Sequence, residues 1–383
     1  MKIVFQKRVL LDHLMPAMGT VSARNTITTI EGVLIETLGG NTVRLSTYDM
    51  AKGIRSTFEA LEVVEEGKCI VSAQRFLQIV KLLGGDEITL SIDDSLSGTV
   101  SSDNSSFSVF ALRGEDFPTL PELSGRRGFE IDSQLLKSKI AKVMHSVSDQ
   151  DSRPMLCGVF FEIKGDTMKV VSCDGYSLSI CTVRCDIRDI GEEQTDTYSF
   201  ILPGSSLGEL SKLLDVDTTV RVFLARKHAI VKIDDFVFFT RMIDGQYLDY
   251  EKIIPRGQTV FVTVNRERML EGLERANLIA DEKIQGSSRS YVKMTVDGGC
   301  VELTSTSVNG KVRDIFACKH EGDRIQIGFN CRYLINNIRA AEGEEIVLSL
   351  KSANQSMTIE PLCKDSEDSF FYMLLPVRMN EQA

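Results

Sequence analysis

Nine basic side chains fall on segments whose apolar spacing predicts helices: Lys7 and Arg8, Arg75 and Lys81, Lys137, Lys139 and Lys142, and Arg332 and Arg339. Ammonium and guanidinium groups set along helices can hold phosphate by charge and by hydrogen bonds that ignore base identity. The segments 6–23, 72–83, 133–148, 204–214, 265–280 and 330–340 carry net charges of +1, +2, +3, 0, 0 and +2, in a chain whose net charge is −10. So acidic a chain repels a polyanion unless its cations are gathered together. The distribution therefore points to one basic helical face backed by acidic sheets and loops. Exposed helix positions also carry Lys and Arg for solubility alone, so only the collective asymmetry argues for phosphate.

Other chemistry finds little equipment. There is no GxxxxGK[ST], GxSxG, HExxH or GxGxxG, so a phosphate cradle, a nucleophile elbow, a zinc protease and a dinucleotide fold are all unsupported. His13, His145, His228 and His320 are dispersed, with none at a ligand or triad spacing. Cys181 and Cys185 form a lone CxxxC with no second pair, so buried thiols are expected rather than zinc. Nine scattered cysteines do not form a secreted disulfide framework, and reduced thiols follow. Asp49 and Asp174 recur at one repeat position where the third copy has Ser307, which fits turn capping better than a carboxylate pair. No metal, cofactor or catalytic residue is expected, and no enzyme.

The elements that must position the cations come in three copies. An apolar strand enters a short helix at 70–83, again at 201–214 and again at 327–340, with Phe76, Leu207 and Tyr333 in corresponding places. The spacings, 131 and 126 residues, are those of whole domains and not of a solenoid. A helical segment and two hairpin strands precede each unit, as in 32–37 with 42–47, 158–163 with 168–173, and 291–296 with 300–305. Each repeat reads as two helices and about eight short strands, an α+β domain with helices on one face of an antiparallel sheet.

A chain of 383 residues with 43% hydrophobic content suits three such cores. Pro- and Gly-bearing breaks at 117–128 and 253–258 set the domains at 1–122, 129–253 and 255–383. The first residues contain no apolar leader, and no stretch of 18 uncharged apolar residues follows. A cytoplasmic protein is expected.

Over nearly its whole length the chain resembles the β sliding clamps of bacterial DNA polymerase III. The triple repeat carries the resemblance, with Gln150-Asp151-Ser152-Arg153 before Leu156-Cys157-Gly158, the Asp174-Gly175 turn, Ile243-Asp244-Gly245-Gln246-Tyr247 with Asp249-Tyr250, and the closing Tyr372-Met373-Leu374-Leu375-Pro376-Val377-Arg378. It implies a head-to-tail homodimer, a six-domain ring with helices lining the hole, that encircles duplex DNA without sequence preference. Arg24, Gln150 and Arg153 match positions that touch DNA in the family, and Phe107, Leu278 and Ile279 match its dimer seam. The partners that the resemblance implies are the polymerase catalytic subunit, the clamp loader, and other polymerases and repair proteins. They dock short peptides in a cleft between the second and third domains. By position the cleft comprises Leu156, Gly175, Tyr176, Ser177, Leu178, Leu248, Lys252, Ile253, Met373, Leu374, Leu375, Pro376, Val377 and Arg378.

Several residues depart from the family's pattern. Tyr176-Ser177 stands where a basic residue is common, Leu248 where Pro is usual, and Lys252 where Arg is usual, and the tail 379–383 runs past the usual ending. The altered positions bear on which motif the cleft prefers. Two other readings compete with the clamp: a repeat-built adaptor that binds peptides without encircling DNA, and an enzyme using Cys173, which has no base beside it.

Overall fold

A computed structural model of the chain describes residues 1–22, 28–121, 125–193, 195–280, 291–307, 310–362 and 368–379. Among them are six α-helices, two per repeat: α1 Lys7–Ala17, α2 Ala73–Leu82, α3 Ser133–Val143, α4 Gly204–Leu213, α5 Arg266–Ala280 and α6 Cys331–Ala340. The same residues hold 27 strands, nine per repeat and not eight. The unforeseen strand is a short edge piece in each copy, Glu62–Glu65, Arg188–Asp189 and Lys319–Glu321. Two to four residues are too few to leave an alternation in the sequence.

Helices α1 and α3 end earlier than the apolar spacing predicts and tighten into 3-10 turns at Met18–Thr20 and Met144–Ser146. Hydroxyls take over the released carbonyls: Thr20 Oγ1 donates to Ala17 O at 3.1 Å, and Ser172 Oγ donates to Val143 O. The two turns are the same repeat feature met twice.

The chain divides into two compact units, Met1–Lys137 with Asp186–Thr195 and Ser205–Met242, and Ser138–Cys185 with Asp196–Gly204 and Ile243–Ala383. The division runs through the central repeat because its sheet is shared out. In the first unit, strand Phe236–Arg241 pairs antiparallel with Lys52–Glu59 of the first repeat, so one sheet of 14 strands spans both repeats. In the second unit, strand Ser177–Arg184 pairs antiparallel with Ser369–Leu374 of the third repeat, within a nine-stranded sheet. A further four-stranded sheet in that unit ends on strand Lys311–Ala317.

Period-two alternation fixes which face each strand buries. In the first repeat Val33, Ile35, Val43 and Leu45 join Leu10 and Leu14 of α1 and Phe76 and Val80 of α2 in one core. Truncating such a side chain to Ala costs about 2–5 kcal/mol. The opposite faces of the shared sheets carry separate apolar clusters, one around Leu34, Tyr48, Phe117 and Phe239 and the other around Leu156, Leu178, Tyr247 and Met373. Cys69, Cys173 and Cys181 are buried thiols, and burial pushes the Cys181 thiol up to about 12, as befits an inert structural thiol.

Candidate binding surfaces

The second of those clusters holds several of the residues matched to the peptide cleft. Register places Val171 opposite Ile180, Cys173 opposite Leu178, and Leu178 opposite Met373, so their side chains share one face. The 3-10 turn Pro154–Cys157 brings Leu156 against them, and the turn Tyr250–Lys252 brings Tyr250. Tyr247 stacks on Phe160 at 5.1 Å, and Leu248 packs at the margin. Leu156, Leu178 and Met373 are buried, so they form the floor, whereas Leu374, next along the strand, is buried on the sheet's other face. The rim is apolar and open: Tyr176 is 52% exposed, Ile253 43% and Leu375 42%.

The rim is held by its backbone. Asp174 Oδ1 accepts from the amides of Tyr176 (2.8 Å) and Ser177 (2.7 Å), the capped turn expected from sequence. Gly175 makes that turn with φ of 88°, where a side chain would be strained. Leu375 N–H donates to Tyr176 O at 2.9 Å, and Val377 N–H to Gly328 O at 2.8 Å. Lys252 is exposed and pairs with Asp249, while Pro376 and Arg378 continue the rim beyond the strand. The structure adds a residue that the sequence reading took only as a repeat marker: Tyr333 of α6, half-buried, whose ring lies 5.9 Å from that of Tyr176.

Beneath the rim lies a polar network. Ser146 Oγ donates to Ser177 Oγ at 2.8 Å and lies 2.7 Å from Ser179 Oγ. Ser177 Oγ in turn donates to Asn337 Oδ1 of α6 at 3.1 Å. His145 Nε2 lies 3.1 Å from Ser179 Oγ and 3.4 Å from Asn337 Oδ1. Burial holds the His145 pKa below its ordinary value, against the upward pull of Asn337 and the Asp174 charge.

The basic residues separate into three kinds. In the first unit Arg8, Arg75 and Lys81 are exposed and have no ion-pair partner among the described residues, whereas Lys7 gives its ammonium to the carbonyls of Lys81 and Leu83 at the end of α2. Lys137 pairs with exposed Asp215. In the second unit Lys142 pairs with Glu342 at 2.9 Å, Arg153 with Asp151 at 3.0 Å, and Arg339 with Glu274 at 2.8 Å. Arg332 and Gln150 are exposed, and Arg24 lies outside the described residues. Lys139 corrects the expectation. It is 6% exposed, pairs with Asp368 and stands over the Phe370 ring, so its charge is spent inside the fold and not offered to phosphate.

Of the residues matched to the seam, Leu278 on α5 is 75% exposed, Phe107 is 39% exposed and Ile279 is half-buried. A neighbour outdoes Phe107: Phe110, on the same strand Ser105–Arg113, is 81% exposed.

Three α+β repeats and an apolar rim over a buried floor define a three-domain protein with a binding surface. The family models of the DNA polymerase III beta subunit match it throughout, the N-terminal domain over residues 1–121, the central domain over 130–249 and the C-terminal domain over 251–378. The chain belongs to the DNA polymerase III beta-subunit family. It is similar to the beta sliding clamps of Halalkalibacterium halodurans (27% identical over 387 residues) and Haemophilus influenzae (26% over 382 residues), in each case across 99% of this chain and 100% of the relative. Among solved structures, the DNA polymerase sliding clamp of Bacillus subtilis matches with a TM-score of 0.89 at 26% identity, covering 99% of this chain and 100% of that one. The protein is a DNA sliding clamp, a non-catalytic processivity factor with the three-domain clamp fold.

Proposed function

We propose that two copies close head to tail into a ring around duplex DNA, and that the apolar rim captures short segments of the polymerase catalytic subunit, the clamp loader, and other polymerases and repair proteins. The repeat itself supports the ring. The fourth strand of the first repeat pairs with the last strand of the second, and the fourth strand of the second with the last strand of the third. The fourth strand of the third repeat, Lys311–Ala317, has a neighbour on one side only among the described residues. The last strand of the first, Ser105–Arg113, is paired over 105–110 on one side only. Each is the other's missing partner, supplied by a second copy, and a heterologous contact that closes on rotation makes a ring.

Ring topology lets the phosphate contacts stay weak. A threaded duplex cannot leave sideways, so exposed cations such as Arg8, Arg75 and Lys81 need only centre it, and exposed ion pairs such as Arg339–Glu274 are cheap to exchange for phosphate. Tethering then holds a polymerase at high effective concentration beside the primer end. The protein is assigned to the cytoplasm, and no described helix is long and apolar enough to cross a membrane.

The test separates the two surfaces by charge. Arg75→Glu with Lys81→Glu is expected to shorten polymerase products while peptide capture stays unchanged. Leu375→Asp is expected to abolish partner capture, since an unpaired carboxylate cannot enter an apolar site. Full-length products from both variants would sink the proposal.

A further inference from the structure

The outer face of the first unit's sheet carries a second set of groups at positions equivalent to the apolar cleft. Strand registers align the two. Leu34 lies opposite Ser46 as Phe160 lies opposite Val171, Glu36 opposite Arg44 as Glu162 opposite Lys169, and Ser46 opposite Arg55 as Val171 opposite Ile180. Where the cleft has Val171 and Ile180 in its apolar cluster, this face has a serine and an arginine, with a second arginine beside them.

These donors have no hydrogen-bonded acceptor among the described residues. Val43 and Leu45 point into the core, so alternation sends Arg44 and Ser46 to the outer face, where Arg55 is directly across from Ser46 and diagonal to Arg44. Diagonal neighbours across a sheet stand about 7–8 Å apart, within reach of long side chains. Arg44 Nε, Arg55 Nε and Ser46 Oγ are all buried without a hydrogen-bond partner, and Ser46 is 0% exposed. Neither guanidinium makes an ion pair or hydrogen bond with any described residue, although both remain partly open to solvent. Glu36, across from Arg44, makes no ion pair with it, so the patch keeps a net positive charge. Burial and the neighbouring Arg44 charge both press the Arg55 guanidinium's pKa down, with Glu36 opposing. The equivalent groups in the second unit are neutralised: Glu162 pairs with Lys164 at 2.9 Å, and Lys169 lies 3.9 Å from Glu251.

Two like charges beside a buried hydroxyl, with Glu36 across the strand paired to neither, make a receptor for an oxyanion. We propose that Arg44 and Arg55, set over the buried Ser46 hydroxyl, form an oxyanion-binding site on this face, accepting a phosphate or carboxylate group. Guanidinium forks match the paired oxygens of either group. Tyr48 and Phe117 lie in the apolar cluster on the same face and give the anion a partly dry surround, which strengthens each charge-assisted bond. The site does not depend on ring closure or on the peptide rim.

Calorimetric titration of the full-length protein with inorganic phosphate, and separately with N-acetylglutamate, tests the proposal in low-chloride buffer. Saturable binding is expected, weakened at least ten-fold by Arg44→Gln and by Arg55→Gln and unchanged by Lys169→Gln at the equivalent position of the second unit. The tighter ligand then names the source, a phosphorylated group or an acidic side chain. Thermal melts check the variants without ligand: relief of like-charge crowding is expected to leave their Tm equal to or above that of the parent. Absence of saturable binding by both anions, or binding that survives in both arginine variants, would overturn the site.

Discussion

Three lysines on one helix meet two different fates, and their surroundings decide which. Lys137 and Lys142 of α3 keep solvent access and pair with Asp215 and Glu342, whereas Lys139 turns inward to Asp368, 229 residues away. Helical spacing alone cannot make that distinction, since the three positions were equally basic in the sequence and the partner lies in another repeat. The pair is inside, so losing one member strands the other. Lys139→Met is expected to lower stability by about 2–3 kcal/mol, somewhat under the fully buried case because the Asp368 side chain is 24% exposed. Urea unfolding would read the loss, and Lys81→Met on the open surface should change stability little. Equal effects from the two variants would contradict the assignment. Tyr333 teaches the same lesson from the other side. Phe76 and Leu207 at its repeat position are 2% and 1% exposed, but a tyrosine has a polar tip and can sit at a wet margin, where this one meets Tyr176.

At the level of the elements, the 3-10 turn Met144–Ser146 joins the sheet strand Ser177–Arg184 to α6 through the Ser146, Ser177, Ser179, His145 and Asn337 network. A histidine held neutral there makes the junction pH-sensitive. Its folded pKa lies below the unfolded value of about 6.5, so in the window below that value the unfolded chain binds more protons. Stability is therefore full above about pH 6.5 and is lost as pH falls. His145→Gln is expected to flatten the decline in Tm between about pH 7 and 5, and an unaltered slope would show that His145 does not contribute. The repeat period and the hairpins beneath this junction were legible because alternation and turn residues are local signals. The network was not legible, because its members come from three separated segments and only the folded backbone brings them together.

For the whole molecule, the unpaired stretches of Ser105–Arg113 and Lys311–Ala317 are open strands that natural sheets normally blunt or cover. Phe110, 81% exposed, lies on the last strand of the first repeat, whose counterparts in the second and third repeats carry Phe239 and Met373, each of which packs at a junction between repeats. Its exposure in a single chain is therefore expected to be covered in the ring. Phe110→Asp should shift the assembled dimer to monomer in sedimentation equilibrium, leaving the fold intact by circular dichroism, whereas a dimer of undiminished affinity would place the seam elsewhere. The central claim is retention by threading, and one measurement reaches it directly. The labelled protein is loaded onto nicked circular DNA, and its retention is followed before and after a restriction enzyme linearises the circle. Prompt loss on linearisation is the predicted result, and equal retention on circle and line would contradict the account.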